Sequence, residues 1–412
     1  MTLQDAQPQS AVAAQAIGEA EFSPALLGLL GVACGLLIAN VYYAQPLTGL
    51  ITAALGMPRQ SAGLIVTLPL TGYGLGLLLV VPLGDLVENR RLILTLIALE
   101  AASLTLISLV AQPIAYLAVA LLIGVTASAV QVILPYVSHL APERVRGQAL
   151  GRLVSGVMLG IMLSRPVSSF VADIWSWRAI FRLSAVAMAL LFVTVRLVAP
   201  RRTPAPGLHY AALMSSMGRI FTSMEILRRR ALYQAAMFGS FSVFWTAAPL
   251  WLGGAPFHLS QRGIAWVALA GVAGAVAPPL AGRVADRGLT RPATVVVMLM
   301  AIAAFALSSL ARSGSNLSMA LVVATAVLLD FAVSANLVFG QRAIYALGAE
   351  QRSRINALFM ASFFAGGAIA SAATGWVFVR YGWTGITVFG ALLPLAALAY
   401  SLTERTKVSA PR

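Results

Sequence analysis

The sequence predicts an all-α membrane protein whose twelve transmembrane helices form two pseudo-symmetric six-helix bundles. Composition is the first reason. Of 412 residues, 59% are hydrophobic and 10% charged, with a mean hydropathy of +0.88. A soluble domain of this length has nowhere to hide so much apolar surface, so its solvent must be largely lipid. The second reason is a repeat. Leu83-Gly84-Asp85, then Glu88, Arg90 and Arg91, lies between two long apolar runs, and so does Gly282-Arg283-Val284-Ala285-Asp286-Arg287-Gly288, then Arg291. Asp85 and Asp286 are 201 positions apart. Arg144-x-Arg146 with Ala149-Leu150 returns as Arg352-x-Arg354 with Ala357-Leu358 at an offset of 208, and Trp177 returns as Trp383 at 206. Three matches at nearly one offset indicate a duplicated architecture. The third reason is the placement of charge, which alternates from loop to loop.

A helix needs about 20 apolar residues to cross the hydrocarbon core. Read in order with that window, the first six spans fall near 25–47, 62–83, 92–111, 114–138, 149–171 and 178–199. The second six fall near 231–252, 264–284, 293–311, 317–340, 355–379 and 383–403. This divides the chain into a tail (1–24), a first bundle (25–199), a linker (200–230), a second bundle (231–403) and a short tail (404–412). The N-terminal tail carries Asp5, Glu19 and Glu21 and no Lys or Arg, the opposite of a cleavable signal's basic start. It is expected to be disordered, with the first span an uncleaved anchor. The linker opens Pro/Arg-rich at Pro200-Arg201-Arg202, then shows Leu213, Met217, Ile220, Met224 and Leu227 at helical spacing. An amphipathic helix ending in Arg228-Arg229-Arg230 and lying on the inner membrane surface is expected.

The loops on the side of residues 83–91 collect 21 Lys and Arg, against 6 on the other side. The basic side is expected to face the cytoplasm, with both termini on the inner side of a plasma membrane. The net charge of +15 is thereby a topology signal, and nucleic acid is not an expected partner. Cys34 is alone inside an apolar run, which excludes a disulfide framework and a cysteine metal site. The three histidines, His139, His209 and His258, are scattered at or beyond span ends. With no His-Glu-x-x-His, no Gly-x-Ser-x-Gly and no phosphate-cradling loop, neither an enzyme nor a bound cofactor or metal is expected. Energy for any transport would come from an ion gradient. A membrane sensor would need an output domain, and the longest segment outside the spans is the linker.

Six spans, a basic linker, six spans and the charged loop between spans 2–3 and 8–9 resemble the major facilitator superfamily from residue 25 onward. The second loop is similar to the family's G-x-L-A-D-R-x-G-R-R pattern; the first departs from it, with Val81 for the leading glycine, Leu86 after the aspartate and one residue inserted. Ala39-Asn40-Val41-Tyr42-Tyr43-Ala44-Gln45-Pro46, Ser164-Arg165-Pro166-Val167 and Arg352-Ser353-Arg354-Ile355-Asn356 resemble a bacterial group of drug-efflux-like members. The resemblance implies two bundles rocking about a central cavity, in a monomer surrounded by membrane lipid. It implies export of small amphipathic organic compounds by alternating access with proton antiport. The alternative is symport or uniport of a small polar or anionic metabolite, a sugar or an organic acid. Two family features are missing: Ala120 replaces the fourth-span arginine of proton-coupled members, and Arg165-Pro166 replaces the fifth-span Gly-Pro of drug antiporters.

A charge in the membrane interior costs several kcal/mol on insertion scales, so each one asks for a reason. Asp330 lies in span 10 about 13 residues, roughly 20 Å, from its outer end. A carboxyl there could take up a proton on one side and release it on the other. Glu100, in span 3, is the second proton-coupling candidate. Arg165 is about 16 residues, some 24 Å, from the inner end of span 5. It keeps its charge and must find an acid, carbonyls or an anionic substrate. Asn40, Tyr43 and Gln45 in the outer part of span 1, with Gln131, Trp245 and Asn336, are candidates for the substrate wall, since aromatic and amide groups suit amphipathic molecules. By resemblance, Asp85 and Asp286 would gate the inner side with Arg91, Arg146, Arg287 and Arg354 as basic partners. Gly156-x-x-x-Gly160 and Gly271-x-x-Gly274 are read as close helix-packing sites.

Overall fold

The computed structural model describes residues 24–204, 209–348 and 351–404. The tail of residues 1–23 and the last residues 405–412 lie outside the described residues. Spans 1 to 6 are the helical stretches Pro24–Ala54, Arg59–Asp85, Asn89–Leu109, Pro113–Leu140, Glu143–Ile174 and Trp177–Val198. Spans 7 to 10 are Glu225–Leu252, Gln261–Asp286, Thr290–Ser308 and Asn316–Tyr345. The stretch Arg352–Ser401 carries spans 11 and 12, broken at Gly382 with φ 60° and ψ −155°. That backbone conformation is essentially reserved for glycine, so one residue turns the chain without a loop. Lipid offers no hydrogen bonds to stray backbone groups, which is why the crossing segments are helical throughout.

Local signals explain the starts. Glu88 accepts from the backbone N–H of Arg90 and Arg91 and caps span 3. Ser260 accepts from Gly263 N–H at span 8, and Ser315 from Ser318 N–H at span 10. Spans 5 and 7 begin six residues before the apolar windows at 149 and 231, because a helix continues past the hydrocarbon until a cap or turn stops it.

The two halves pack alike. In the first, Gly156 and Gly160 of span 5 press on the backbones of Gly31 and Gly35 of span 1, where an added Cβ would collide. In the second, Gly366 of span 11 sits equally close to Ala235 of span 7. Spans 3 and 6 pack together as do 9 and 12, where Trp383 Nε1 donates to the Ser308 carbonyl at 3.2 Å. Small residues are needed because lipid provides no hydrophobic drive, leaving close van der Waals contact to hold helices together.

The halves meet along spans 2 and 11 and along spans 5 and 8. Most named contacts cluster on the face away from the charged loops, termed here the far face. Gly63 and Gly375 each lie against backbone of the other half, Ser371 and Gln60 respectively. The Thr67 and Ser371 hydroxyls are 2.9 Å apart, and Arg262 Nε donates to Asp173 Oδ2 at 3.2 Å. On the basic face the linker bridges the halves. Its helix, Tyr210–Ser223, reaches span 2 through Tyr210 Oη donating to the Leu79 carbonyl, and span 11 through Arg354 Nη1 donating to Ser216 Oγ.

This linker helix differs from the expected one in two ways. It ends at Ser223, because Met224 is extended (φ −99°, ψ 97°), so Leu227 and the three arginines belong to span 7. Its apolar face is docked on protein rather than on lipid: Leu213, Met217 and Ile220 are buried, and Ile220 shares a cluster with Leu227, Ala231, Ile344, Ile355 and Phe359.

Candidate functional site

Three of the residues singled out in the sequence converge between the halves. Arg165 of span 5 and Asp330 of span 10 form an ion pair across the interface, Nη2 to Oδ2 at 3.4 Å, with both side chains almost wholly buried. Trp245 of span 7 donates from Nε1 to Asp330 Oδ1 at 2.8 Å. The guanidinium lies over the Trp245 ring, 4.1 Å from its centroid, and 5.0 Å from that of Phe241. One face of the arginine is thus shielded by aromatic rings, an attractive arrangement in a desolvated site. Span 8 closes the back of the pair. A Cβ on Gly274 would sit 2.8 Å from the Asp330 Cβ, and one on Gly271 would sit 3.1 Å from its Oδ2. The small-residue pair therefore packs against the carboxylate itself.

Arg165 and Asp330 line a cavity of about 70 Å³ together with Tyr42, Met158, Met162, Phe238, Phe241 and Phe363. On span 10 the lining runs from Asp330 through Val333 and Ser334 to Leu337, toward the basic face; on span 5 it runs from Arg165 back to Met158, the same way. The ion pair thus stands at the deep end, toward the far face. The guanidinium has donors to spare. Among the described residues, Arg165 Nε and Nη1 have no hydrogen-bond partner, although Arg165 is only 2% exposed. Both Asp330 oxygens are engaged.

The other candidates are distributed elsewhere. Glu100 is fully buried inside the first half, accepting from the Thr126 hydroxyl of span 4. Asn40 Oδ1 accepts from Ser184 of span 6. Tyr43 and Gln45 are buried at the far end of span 1, and Tyr43 lines a separate apolar groove between spans 1 and 5. Gln131 is half-buried on span 4. Asn336 donates to Gln234 Oε1 at 2.6 Å, joining spans 10 and 7.

Of the gate candidates, Asp286 pairs with Arg342 in its own half, both 61% exposed. Arg91 pairs with Glu88 at 3.9 Å and Arg146 with Glu143 at 3.8 Å, while Arg287 is exposed. Asp85 and Arg354, from opposite halves, line one small cavity on the basic face with Arg202. The cavity wall of Phe238, Phe241, Met158, Met162 and Phe363 escaped sequence reading, because such residues in an apolar helix resemble those that face lipid. Gly271-x-x-Gly274 was the available signal that span 8 approaches another helix closely.

Comparison with known proteins agrees with this architecture. The Major Facilitator Superfamily model matches residues 27–315 and 230–412. The chain is similar to the uncharacterized transporter YgaY of Escherichia coli O157:H7, 35% identical over 92% of this chain and 95% of that one. It is also similar to the inner membrane transport protein YnfM of Escherichia coli, 23% identical over 87% and 85%. Among solved structures, the nucleoside transporter NupG superposes with a TM-score of 0.73 at 12% identity, covering 91% of this chain and 99% of that one. A bacterial homolog of the human lysosomal transporter Spinster, inward-facing and occupied, superposes at 0.70 with 13% identity, over 92% and 95%. At such identities these structures speak for the fold alone. The chain belongs to the major facilitator superfamily and is a multi-pass membrane transporter.

Proposed function

We propose that this transporter exports small amphipathic organic compounds by alternating access, in exchange for protons that bind Asp330. The observation that carries the reading is the buried Arg165–Asp330 pair at the deep end of a cavity walled by Phe and Met side chains. Its two members come from opposite halves, so rocking the halves must stretch or break it. Separating two buried charges is costly unless one is neutralised. A proton on Asp330 supplies that neutralisation.

The exchange has a simple logic. With Asp330 ionised, the carboxylate and the Trp245 ring together hold the guanidinium, whose Nε and Nη1 stay buried beside the cavity without a partner among the described residues. A substrate entering from the basic face, the cytoplasmic side on this reading, meets that arrangement. When the far face opens, a proton reaching Asp330 releases Arg165, dismantles the site and lets the substrate leave. The protonated carrier returns and loses its proton on the basic side. Proton and substrate exclude each other, which is the requirement for antiport. Glu100, bonded to Thr126 inside the first half, keeps its surroundings as the halves rock and does not carry the exchange on this reading. The charged loops, with Asp85 facing Arg354 and Asp286 exchanging Arg342, would close the basic face in the other state; such exposed pairs are worth about 0–1 kcal/mol each, weak enough to break every cycle.

The test uses purified protein in liposomes with a trapped pH dye and an imposed proton gradient, wild type against Asp330→Asn. One class of lipophilic compound is expected to discharge the gradient through wild type and not through the variant. Substrate movement with no proton flux in either protein would sink the antiport reading.

A further inference from the structure

The hydrogen-bonding capacity left open at the ion pair says what the cavity should hold, and this step rests on the transport reading above. Arg165 is buried to 98% and Nε and Nη1 are without partners among the described residues. An unsatisfied donor in a dry site is costly, more so when it belongs to a charged group, so a bound molecule gains most by accepting from it. Acceptors are scarce by comparison. Asp330 is the single carboxylate on the cavity wall; its Oδ1 already accepts from Trp245 and its Oδ2 from Arg165, and its charge is balanced by that guanidinium. The rest of the wall is Met, Ile, Phe, Pro, Val and Leu, with the hydroxyls of Tyr42 and Ser334.

We propose that the substrate is an amphipathic compound whose polar end carries oxygen acceptors, a carbonyl, nitro or carboxylate group, and that lipophilic cations are rejected. The acceptor group takes the open Arg165 donors, and the apolar body lies along Phe238, Phe241 and Phe363. An ammonium group would have to sit beside the guanidinium with no free carboxylate to receive it, a like-charge contact in a low-dielectric site. Neutral acceptors and oxyanions share the chemistry. They differ in that the oxyanion adds a charge to a pair that is already balanced.

The experiment measures binding to the full-length protein in lipid nanodiscs with three probes built on one aromatic body: an amide, a carboxylate and a tertiary amine. Each is titrated against wild type and Arg165→Lys, which keeps a cation for Asp330 but lacks the guanidinium donors. The amide or the carboxylate is expected to bind at least about tenfold more tightly than the amine, and to lose about tenfold in Arg165→Lys. The amide and carboxylate arms tell which oxygen group is preferred. An amine that binds wild type as tightly as either, or acceptor probes indifferent to Arg165→Lys, would overturn the proposal. Because the selectivity of wild type is read by itself, a poorly folding variant does not rescue it. If the amine binds and exchanges for protons, the substrate class falls while the exporter reading stands; if no probe binds and none exchanges, both fall.

Discussion

Among the described residues two carboxylic acids are buried in the membrane region, Asp330 and Glu100, and their surroundings differ. Asp330, in the second half, meets an arginine from the other half, an indole N–H and the wall of a cavity. Glu100, in the first half, receives the Thr126 hydroxyl from span 4 of its own half, and no ion pair to it is found among the described residues. The repeat makes the contrast sharper. Gly72 of span 2 presses on the backbone of Leu121 in span 4 much as Gly274 of span 8 presses on Asp330 of span 10, so the close approach is repeated and only the second half has an acid beside it. Helix packing is shared by the halves; the chemistry is placed in one of them. A carboxylate between halves is strained when the halves move, whereas one inside a half moves with it as a rigid body. On the mechanism proposed above, that difference ties transport to Asp330 more tightly than to Glu100.

The largest effect should come from stranding a charge. Arg165→Met leaves Asp330 buried without its cation and should cost about 3–5 kcal/mol, read as a large fall in apparent melting temperature in detergent. Adding Asp330→Asn to that variant should return most of the loss. A double variant as unstable as the single would mean that the arginine serves packing and not the pair. Next is Trp245→Phe, which keeps an aromatic face for Arg165 but deletes the donor to Asp330 Oδ1. It should cost about 1.5–3 kcal/mol, the range for a hydrogen bond to a charged group, with slower proton exchange. No change in either quantity would show that the indole N–H does not hold the carboxylate.

The smallest effect is expected from Glu100→Gln, because an amide oxygen can still accept from Thr126. Stability should change by about 1 kcal/mol or less and transport by no more than about twofold. Loss of proton exchange in a well-folded Glu100→Gln protein would place the two acids on an equal footing and end the contrast.

The charged loops show how far a motif reads. Their repeat marks two equivalent turns, and both are found at the ends of spans 2 and 8. Their partners were not legible. In the first loop, Glu88 caps span 3 and Asn89 is bound to the linker through Arg202, whose carbonyl accepts from Asn89 N–H at 2.9 Å. In the second, Asp286 turns to Arg342. The residue inserted in the first copy adds a polar position that the linker uses, and a local pattern carries no information about a strand of chain more than 100 residues away. Met224 is a similar case: the apolar spacing ran through it, but the helix breaks there because the linker helix must dock on spans 7, 10 and 11 at one angle and span 7 must cross the membrane at another.

What the sequence determined by itself is the set of quantities that lipid enforces on every chain: twelve apolar lengths, helical form, the sidedness of basic loops and the duplication of one half as the other. Each follows from position along the membrane normal, which hydropathy reports directly. The tertiary structure alone decided which way each helix faces. An apolar span looks the same on its lipid side and its cavity side, so Phe238 and Met158 could not be told from residues facing acyl chains, and the rotation that brings Asp330 to an arginine 165 positions away in the chain is set by glycine-tight contacts among neighbouring helices. The depth of those two charges was written in the sequence; their meeting is a property of the packing.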